Sequence, residues 1–364
     1  MANNKFPLSP GSVIGILGGG QLGRMMAMAA AHMGYHVHIY TPEENSPASE
    51  VAQFTTVASY DDREALQHFA KSVQVVTYEF ENIPAAPVKT IAQFTPVYPD
   101  PDVLSISQQR VWEKQALQKL GIKTAPFAVV NNASDLRAAI DTLGRPAILK
   151  TCRMGYDGKG QWTLRSDKDV TDALELIERS AVEYILEGFV NFKMEISVIV
   201  ARDIQGNIAC YDPVQNIHKN HILHQTIAPA PISPQLALKA QNMACDIAEG
   251  FKLVGLIAVE MFVTNDEHIV VNELAPRPHN SGHWTMDACI TSQFEQCIRA
   301  VCGLPLGHPN RFCDAKMLNL IGPDVHDWSR YVGEPNVKVH LYGKQDVRAG
   351  RKMGHVTFLD VKHG

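Results

Sequence analysis

A chain of 364 residues, 45% hydrophobic and 20% charged, has an ordinary soluble composition and is long enough for two or three domains of about 100–200 residues. Its net charge of −5 supplies no general field for nucleic acid, so an anionic ligand must be held by a few placed cations and backbone amides. The seven cysteines include no C-x-x-C pair, and an odd count in a chain this long argues against a disulfide framework. The N-terminal residues show no secretory core, and no apolar run approaches the ~20 residues of a membrane span. The expectation is a cytoplasmic enzyme of small molecules, with neither nucleic acid nor membrane as partner.

In chain order, Ser12–Leu17 predicts a buried strand, Gly18–Gly20 a turn, and the Ala/Met-rich stretch Gln21–Met33 a helix ended by Gly34. Tyr35–Tyr40 predicts a second strand, parallel to the first, and Val73–Phe80 a later strand of the same sheet. Pro96, Pro99 and Pro101 mark the exit from this unit. A charged helix is expected over Ser107–Leu120, then a strand near Ala125–Val130, a helix near Ser134–Leu143 capped by Ser134, and a strand over Pro146–Lys150. Tyr184–Leu186 and Glu195–Ala201 alternate like strands. Leu236–Gly250 predicts a helix, and Leu256–Val263 with His268–Asn272 a strand pair. Short strands are expected at Val337–Tyr342 and His355–Leu359.

Four constellations carry chemistry. Gly18-x-Gly20-x-x-Gly23 after a strand fits a dinucleotide fingerprint, since small residues let amides at a helix start approach a phosphate. The second strand, however, ends Tyr40-Thr41-Pro42 with no acid placed for a ribose, so a site for another phosphate or a structural turn stays open. Lys150 closes an apolar strand just before the loop Gly155-Tyr156-Asp157-Gly158-Lys159-Gly160-Gln161, a glycine lid whose amides and Lys159 can close over phosphates. Glu260 and Glu273, with Asn272 adjacent, sit on neighbouring apolar strands and make a hard oxygen donor set suited to Mg²⁺ if those strands pair. The segment after them bears Arg277, His279 and His283 on a proline-stiffened loop. Arg277 offers a fork for carboxylate or phosphate, and the broken loop argues against a zinc site at His279 and His283.

In order and spacing, GILGGGQLGRM (15–25), VVTYEFENIP (75–84), ILKTCRMGYDGKGQ (148–161), ILEGFV (185–190) and VNELAPRPHNSGHWT (271–285) resemble the ATP-grasp superfamily and, within it, the N5-carboxyaminoimidazole ribonucleotide synthetases. The resemblance implies an α/β, ATP-grasp architecture: an N-terminal doubly wound parallel-sheet domain (1–106), a small α+β lid domain (107–190) and a larger α+β C-terminal domain with a tail subdomain (191–364). It implies that Arg110, Lys150, Lys159 and the Gly155–Gln161 loop bind ATP phosphates, that Glu187, Gly188, Phe189 and Val190 contact adenine, and that Glu195 holds the ribose beside His218. Glu260 and Glu273, with Asn272, would hold Mg²⁺.

The second substrate, aminoimidazole ribonucleotide, would lie against Gln21, Leu22, Glu79, Tyr156, Asp157, Arg277, His279, Lys344 and Arg351. The implied activity is ATP-dependent carboxylation of that ribonucleotide by bicarbonate through carboxyphosphate, in purine biosynthesis. Lys150, Lys159, Tyr156, Asp157, Arg277 and His279 form the catalytic set, and Asp157 or His279 is the base. A homodimer is the implied assembly. The nearest rivals are a formate-dependent phosphoribosylglycinamide formyltransferase or another ATP-grasp ligase and, from a different class, a nicotinamide oxidoreductase resting on Gly18–Gly23 alone.

Overall fold

The apolar runs VIGIL and VVTY become adjacent strands of a sheet covered on both faces. The computed structural model describes residues 6–153, 160–180 and 182–361. β1 (Val13–Leu17), α1 (Gln21–His32), β2 (His36–Thr41), β3 (Phe54–Val57), α2 (Arg63–Ser72) and β4 (Val75–Tyr78) form a four-stranded parallel sheet of order β3-β2-β1-β4. Continuous apolar strands of this kind need cover on each side. Met25, Met26 and Ala30 of α1 pack with Ile14, Ile16 and Ile39, whereas Leu66, Phe69 and Ala70 of α2 pack with Val76 and Tyr78.

The exit from this unit differs from the sequence expectation of one helix over Ser107–Leu120. After α3 (Ala85–Ala92), Pro101 starts α4 (Pro101–Ser107), and the chain breaks at Gln108 and Gln109 before α5 (Arg110–Lys119). Gln109 is extended, and its side-chain oxygen accepts from the Val111 and Trp112 N–H groups at 2.7 and 3.0 Å. It therefore caps α5 and sets Arg110 on the first turn, where the structure needs it.

The next unit is an antiparallel sheet of order β5-β8-β6-β7 with two helices: β5 (Phe127–Val130), α6 (Ala133–Leu143), β6 (Ala147–Thr151), β7 (Gln161–Leu164), α7 (Asp167–Glu178) and β8 (Tyr184–Gly188). Asn132, and not Ser134, caps α6, accepting from the Asp135 N–H at 2.9 Å. Across β6 and β8, Ile148 lies opposite Glu187 and Lys150 opposite Ile185. Alternation along the strands therefore puts the Lys150 and Glu187 side chains diagonally on one face.

The rest of the chain builds a nine-stranded sheet of order β14-β13-β9-β11-β12-β15-β17-β16, with β10 on β9. Its elements are β9 (Phe192–Arg202), β10 (Ile208–Cys210), β11 (Val214–Lys219), β12 (Ile222–Ala228), α8 (Pro234–Gly250), β13 (Gly255–Thr264), β14 (Ile269–Ala275), α9 (Thr285–Ala288), α10 (Gln293–Val301), β15 (Asp314–Ile321), α11 (Trp328–Val332), β16 (Val337–Leu341) and β17 (Lys352–Asp360). β13 pairs with β14 as expected, with Glu260 opposite Glu273. On the other side of β13, Glu260 faces Ser197 and Phe262 faces Glu195. Register alone thus gathers Glu195, Ser197, Glu260 and Glu273 on one face of the sheet.

Candidate active site

The start of α5 lies where the two antiparallel sheets meet, and it brings three charged groups to that joint. Arg110 contacts Glu273 at 3.0 Å. Glu113 accepts from the Leu274 N–H at 3.1 Å, and Lys114 reaches the Asn272 carbonyl at 3.4 Å. Lys114 also faces Glu187 at 3.3 Å, while Lys150 bonds the other Glu187 oxygen at 2.9 Å. Burial pushes the Glu187 carboxyl up, but Lys150, then Lys114, outweigh it and hold the group at about 2. Glu113 goes the opposite way, raised to about 8 by burial and by the neighbouring Glu273 charge. Gln161 stands opposite Lys150 across β6 and β7. Gly188 donates to the Pro126 carbonyl at 2.8 Å and Phe189 to Pro146 at 3.3 Å, so the Glu187–Val190 turn is anchored by its own backbone.

On the sheet face, Glu260 contacts His279 Nε2 at 3.1 Å, and His218 Nδ1 contacts Glu195 at 3.0 Å. Burial lowers the His218 pKa, yet the Glu195 bond outweighs it and the net shift is upward. Burial likewise raises the Glu260 carboxyl, and His279 more than reverses that, leaving it at about 2. Behind His279 runs a directed polar chain. Asn216 donates to Ser197 Oγ at 3.0 Å, Ser197 to Ser281 Oγ at 2.7 Å, and the Ser281 Oγ and N–H reach His279 Nδ1 at 2.8 and 3.3 Å. In the neutral ring Nδ1 is thereby the acceptor, which leaves Nε2 as the N–H that faces Glu260. A metal held by Glu260 and Glu273 fits this donor set: carboxylates opposite each other on paired strands, with Asn272 next to Glu273 in the chain.

The glycine turn is occupied by a carboxylate of the chain itself. Glu79 accepts from the Gly20 N–H and, at 2.9 Å, from the Gly23 N–H. A Cβ on Gly20 would come within 2.6 Å of a Glu79 oxygen. A pyrophosphate at the same amides would meet that carboxylate, so the nicotinamide reading of Gly18–Gly23 is not supported. Burial raises the Glu79 pKa, with the two amides and then Lys344 and Arg277 opposing. Gln21 and Leu22 open α1 beside it.

Arg277 forms a two-pronged ion pair with Glu81, one contact at 2.9 Å, and donates to the Pro278 carbonyl at 3.0 Å. Lys344 donates to the Lys352 carbonyl at 2.8 Å, and Arg351 bonds the Asp346 carbonyl at 2.9 Å. Burial, then the Arg351 charge, pulls Lys344 down to about 8, and Glu79 opposes. The tail is therefore folded back to the glycine turn, with Lys344, Glu79 and Arg277 close enough to feel one another.

Gly155, Tyr156, Asp157, Gly158 and Lys159 lie outside the described residues. The sequence reading assigned no role to Lys114, Glu113, Glu81, Ser197 or Ser281. Glu81 stood inside the motif YEFENIP, and Ser281 inside HNSGHW; the other three carry no local signal. Asp287, His340 and His355 bring ligand atoms within 4.8 Å of one another. The His340 and His355 rings stack at 4.5 Å and 16°, so their in-plane lone pairs do not converge on one ion.

Three family models match in succession: a ribonucleotide synthetase preATP-grasp domain over 12–108, an ATP-grasp domain over 115–294 and a phosphoribosylaminoimidazole carboxylase C-terminal domain over 315–363. The N5-carboxyaminoimidazole ribonucleotide synthase of Brucella melitensis is 49% identical, covering 97% of this chain and 98% of that protein. The bifunctional purine synthesis protein purC/E of Dictyostelium discoideum is 48% identical over 96% of this chain, which spans 37% of that longer protein. The crystal structure of N5-carboxyaminoimidazole synthase from Aspergillus clavatus with ADP and 5-aminoimidazole ribonucleotide is 32% identical, with a TM-score of 0.88 over 96% of this chain and 94% of that one. The chain belongs to the N5-carboxyaminoimidazole ribonucleotide synthase family, within the ATP-grasp proteins.

Proposed function

We infer that this protein carboxylates 5-aminoimidazole ribonucleotide with bicarbonate at the expense of ATP, giving N5-carboxyaminoimidazole ribonucleotide, ADP and phosphate in purine biosynthesis. The observation that carries the reading is the face shared by Glu195, Glu260 and Glu273, with Arg110 bonded to Glu273 and Lys150 bonded to Glu187 on the neighbouring sheet. Bicarbonate is a poor electrophile because hydroxide is a bad leaving group; phosphorylation to carboxyphosphate exchanges it for phosphate. That step asks the protein mainly for positioning and charge neutralisation.

In this reading Arg110, Lys150 and Lys159 neutralise the nucleotide phosphates, and the Gly155–Gln161 loop excludes water above them. Glu187 to Val190 meet adenine, and Glu195 with His218 meets the ribose. Glu260 and Glu273, with Asn272, hold Mg²⁺, which when bound offsets charge on the phosphate oxygens. His279 keeps Glu260 in place through Nε2, and both of its ring nitrogens are engaged. Asp157 is then the base that takes the proton from the exocyclic amine. Gln21, Leu22, Glu79, Tyr156, Arg277, Lys344 and Arg351 cradle the ribonucleotide. With a division at 1–106, 107–190 and 191–364, ATP lies between the last two units in this reading.

A homodimer acting in the cytoplasm completes the proposal. Among the described residues no helix is long and apolar enough to cross a membrane. The test is substrate-dependent ADP release. Bicarbonate together with aminoimidazole ribonucleotide supports it; turnover with formate and phosphoribosylglycinamide instead would replace this reading by the formyltransferase one. Sedimentation of the purified protein tests the dimer.

A further inference from the structure

Two lysines share one carboxylate at the joint between the four-stranded antiparallel sheet and the nine-stranded sheet. Lys150 meets one Glu187 oxygen at 2.9 Å and Lys114 faces the other at 3.3 Å. Side-chain exposure is 1% for Lys114, 5% for Glu187 and 11% for Lys150. Both lysines are buried, and Lys150 is the more exposed of the two. Lys114 is tethered again by the Asn272 carbonyl at 3.4 Å. A buried carboxylate left without a cation is strongly disfavoured. For Lys150 to carry its ammonium onto a nucleotide phosphate, Glu187 must keep another partner.

We propose that Lys114 is a positioning residue that keeps Glu187 neutralised while Lys150 turns to the nucleotide. It touches neither substrate and acts through Glu187: without it, Glu187 retains Lys150 and the phosphates lose a cation. The inference rests on the reading of Lys150 as a nucleotide ligand, and it extends that reading to the α5 residue that sets Lys150 free. Glu187 is then the exchangeable counter-ion of Lys150, in addition to the backbone around it facing adenine.

The experiment measures ADP binding by calorimetry and steady-state KM values for ATP and aminoimidazole ribonucleotide. Its variants are Lys114→Met, Lys114→Gln, Lys114→Met/Glu187→Gln and Lys150→Ala. Each single Lys114 variant is expected to weaken ADP binding and raise the ATP KM at least tenfold, with the ribonucleotide KM within twofold of wild type. Removing the carboxylate in the double variant should recover at least tenfold of that loss relative to Lys114→Met, a rescue that a merely structural lysine would not show. Lys114→Gln keeps a donor for the Asn272 carbonyl and carries the test if the methionine variant does not fold. An ATP KM within twofold of wild type in a folded Lys114 variant, or no recovery in the double variant, overturns the proposal. Lys150→Ala separates the two layers. If it binds ADP like wild type, the reading of Lys150 fails; if it loses ADP while the Lys114 variants keep it, only the role of Lys114 fails.

Discussion

Glu260 and Glu273 stand opposite each other across β13 and β14, and each is held from outside the pair: Glu260 by His279 at 3.1 Å, Glu273 by Arg110 at 3.0 Å. Two carboxylates converging on one face repel unless cations lie between or beside them. Glu273→Gln keeps the shape and removes one charge. ADP formation at saturating substrate should fall by about 10²–10³-fold, the scale of losing one preorganised electrostatic contact. Steady-state ADP release at several Mg²⁺ concentrations checks this, and a turnover within threefold of wild type would contradict it.

Ser281 donates to His279 Nδ1 while its own oxygen accepts from Ser197. Ser281→Ala removes the hydroxyl that holds the ring, though the backbone N–H contact remains. Ser281 acts on the proposed Mg²⁺ ligand Glu260 through His279, so the apparent Mg²⁺ affinity should weaken by about tenfold, the lower end of the loss for a direct partner of a metal ligand, and Ser281→Thr should restore most of it. Mg²⁺ titrations of ADP release read both variants.

Arg277 and Glu81 form a mutual fork, and the carboxyl is held at about 2 although burial pushes it up. Arg277→Ala should raise the ribonucleotide KM at least tenfold and leave the ATP KM near wild type. It should also destabilise the fold by about 3 kcal/mol, because Glu81 is left without its cation in a mostly buried place. A carboxyl below its ordinary value contributes stability above that value and loses it as pH falls toward the folded pKa. The Glu81 share is therefore present above pH 4.5 and lost toward about 2. Thermal melts from pH 6 down to the acid limit should be flatter for Glu81→Gln than for wild type.

Lys344 is pulled down to about 8 by burial, then by the Arg351 charge. An ordinary lysine stays charged to about pH 10. The Lys344 charge is therefore lost as pH rises through about 8, and under the proposed role of Lys344 toward the ribonucleotide phosphate the ribonucleotide KM should climb between about pH 7 and 9. Lys344→Arg, which cannot titrate there, should flatten that climb. The ATP KM serves as the internal control, and an equal rise in both would count against the assignment.

Much of this site was readable in the sequence because its groups interrupt apolar strands. Lys150 ending AIL, and Glu260 and Glu273 inside LIAVEMFV and IVVNEL, stand out as charges on apolar strands, where either a ligand site or a structural ion pair explains them, and the β13–β14 register placed the two glutamates opposite each other as expected. Lys114 was not readable. It lies on a helix whose charged residues look solvated until Glu187, 73 positions later in the chain, is brought against it. The α4–α5 break was hidden for a different reason: Gln108 ends one helix and Gln109 caps the next, with neither glycine nor proline at the joint. Asn132 takes the place of Ser134 as the cap because the helix begins at Ala133, two residues before a helix capped by Ser134 would begin. Glu79 at the glycine turn was expected as a ribonucleotide contact, but its bonds to the Gly20 and Gly23 amides follow only from the parallel pairing of β1 with β4.

Turnover with [¹⁸O]bicarbonate tests the central claim most directly, because phosphoryl transfer to bicarbonate carries one bicarbonate oxygen into the phosphate. With ATP, Mg²⁺ and aminoimidazole ribonucleotide present, the released phosphate should contain one ¹⁸O atom per molecule. Phosphate released at full rate without label would show that bicarbonate is never phosphorylated, and would contradict the account.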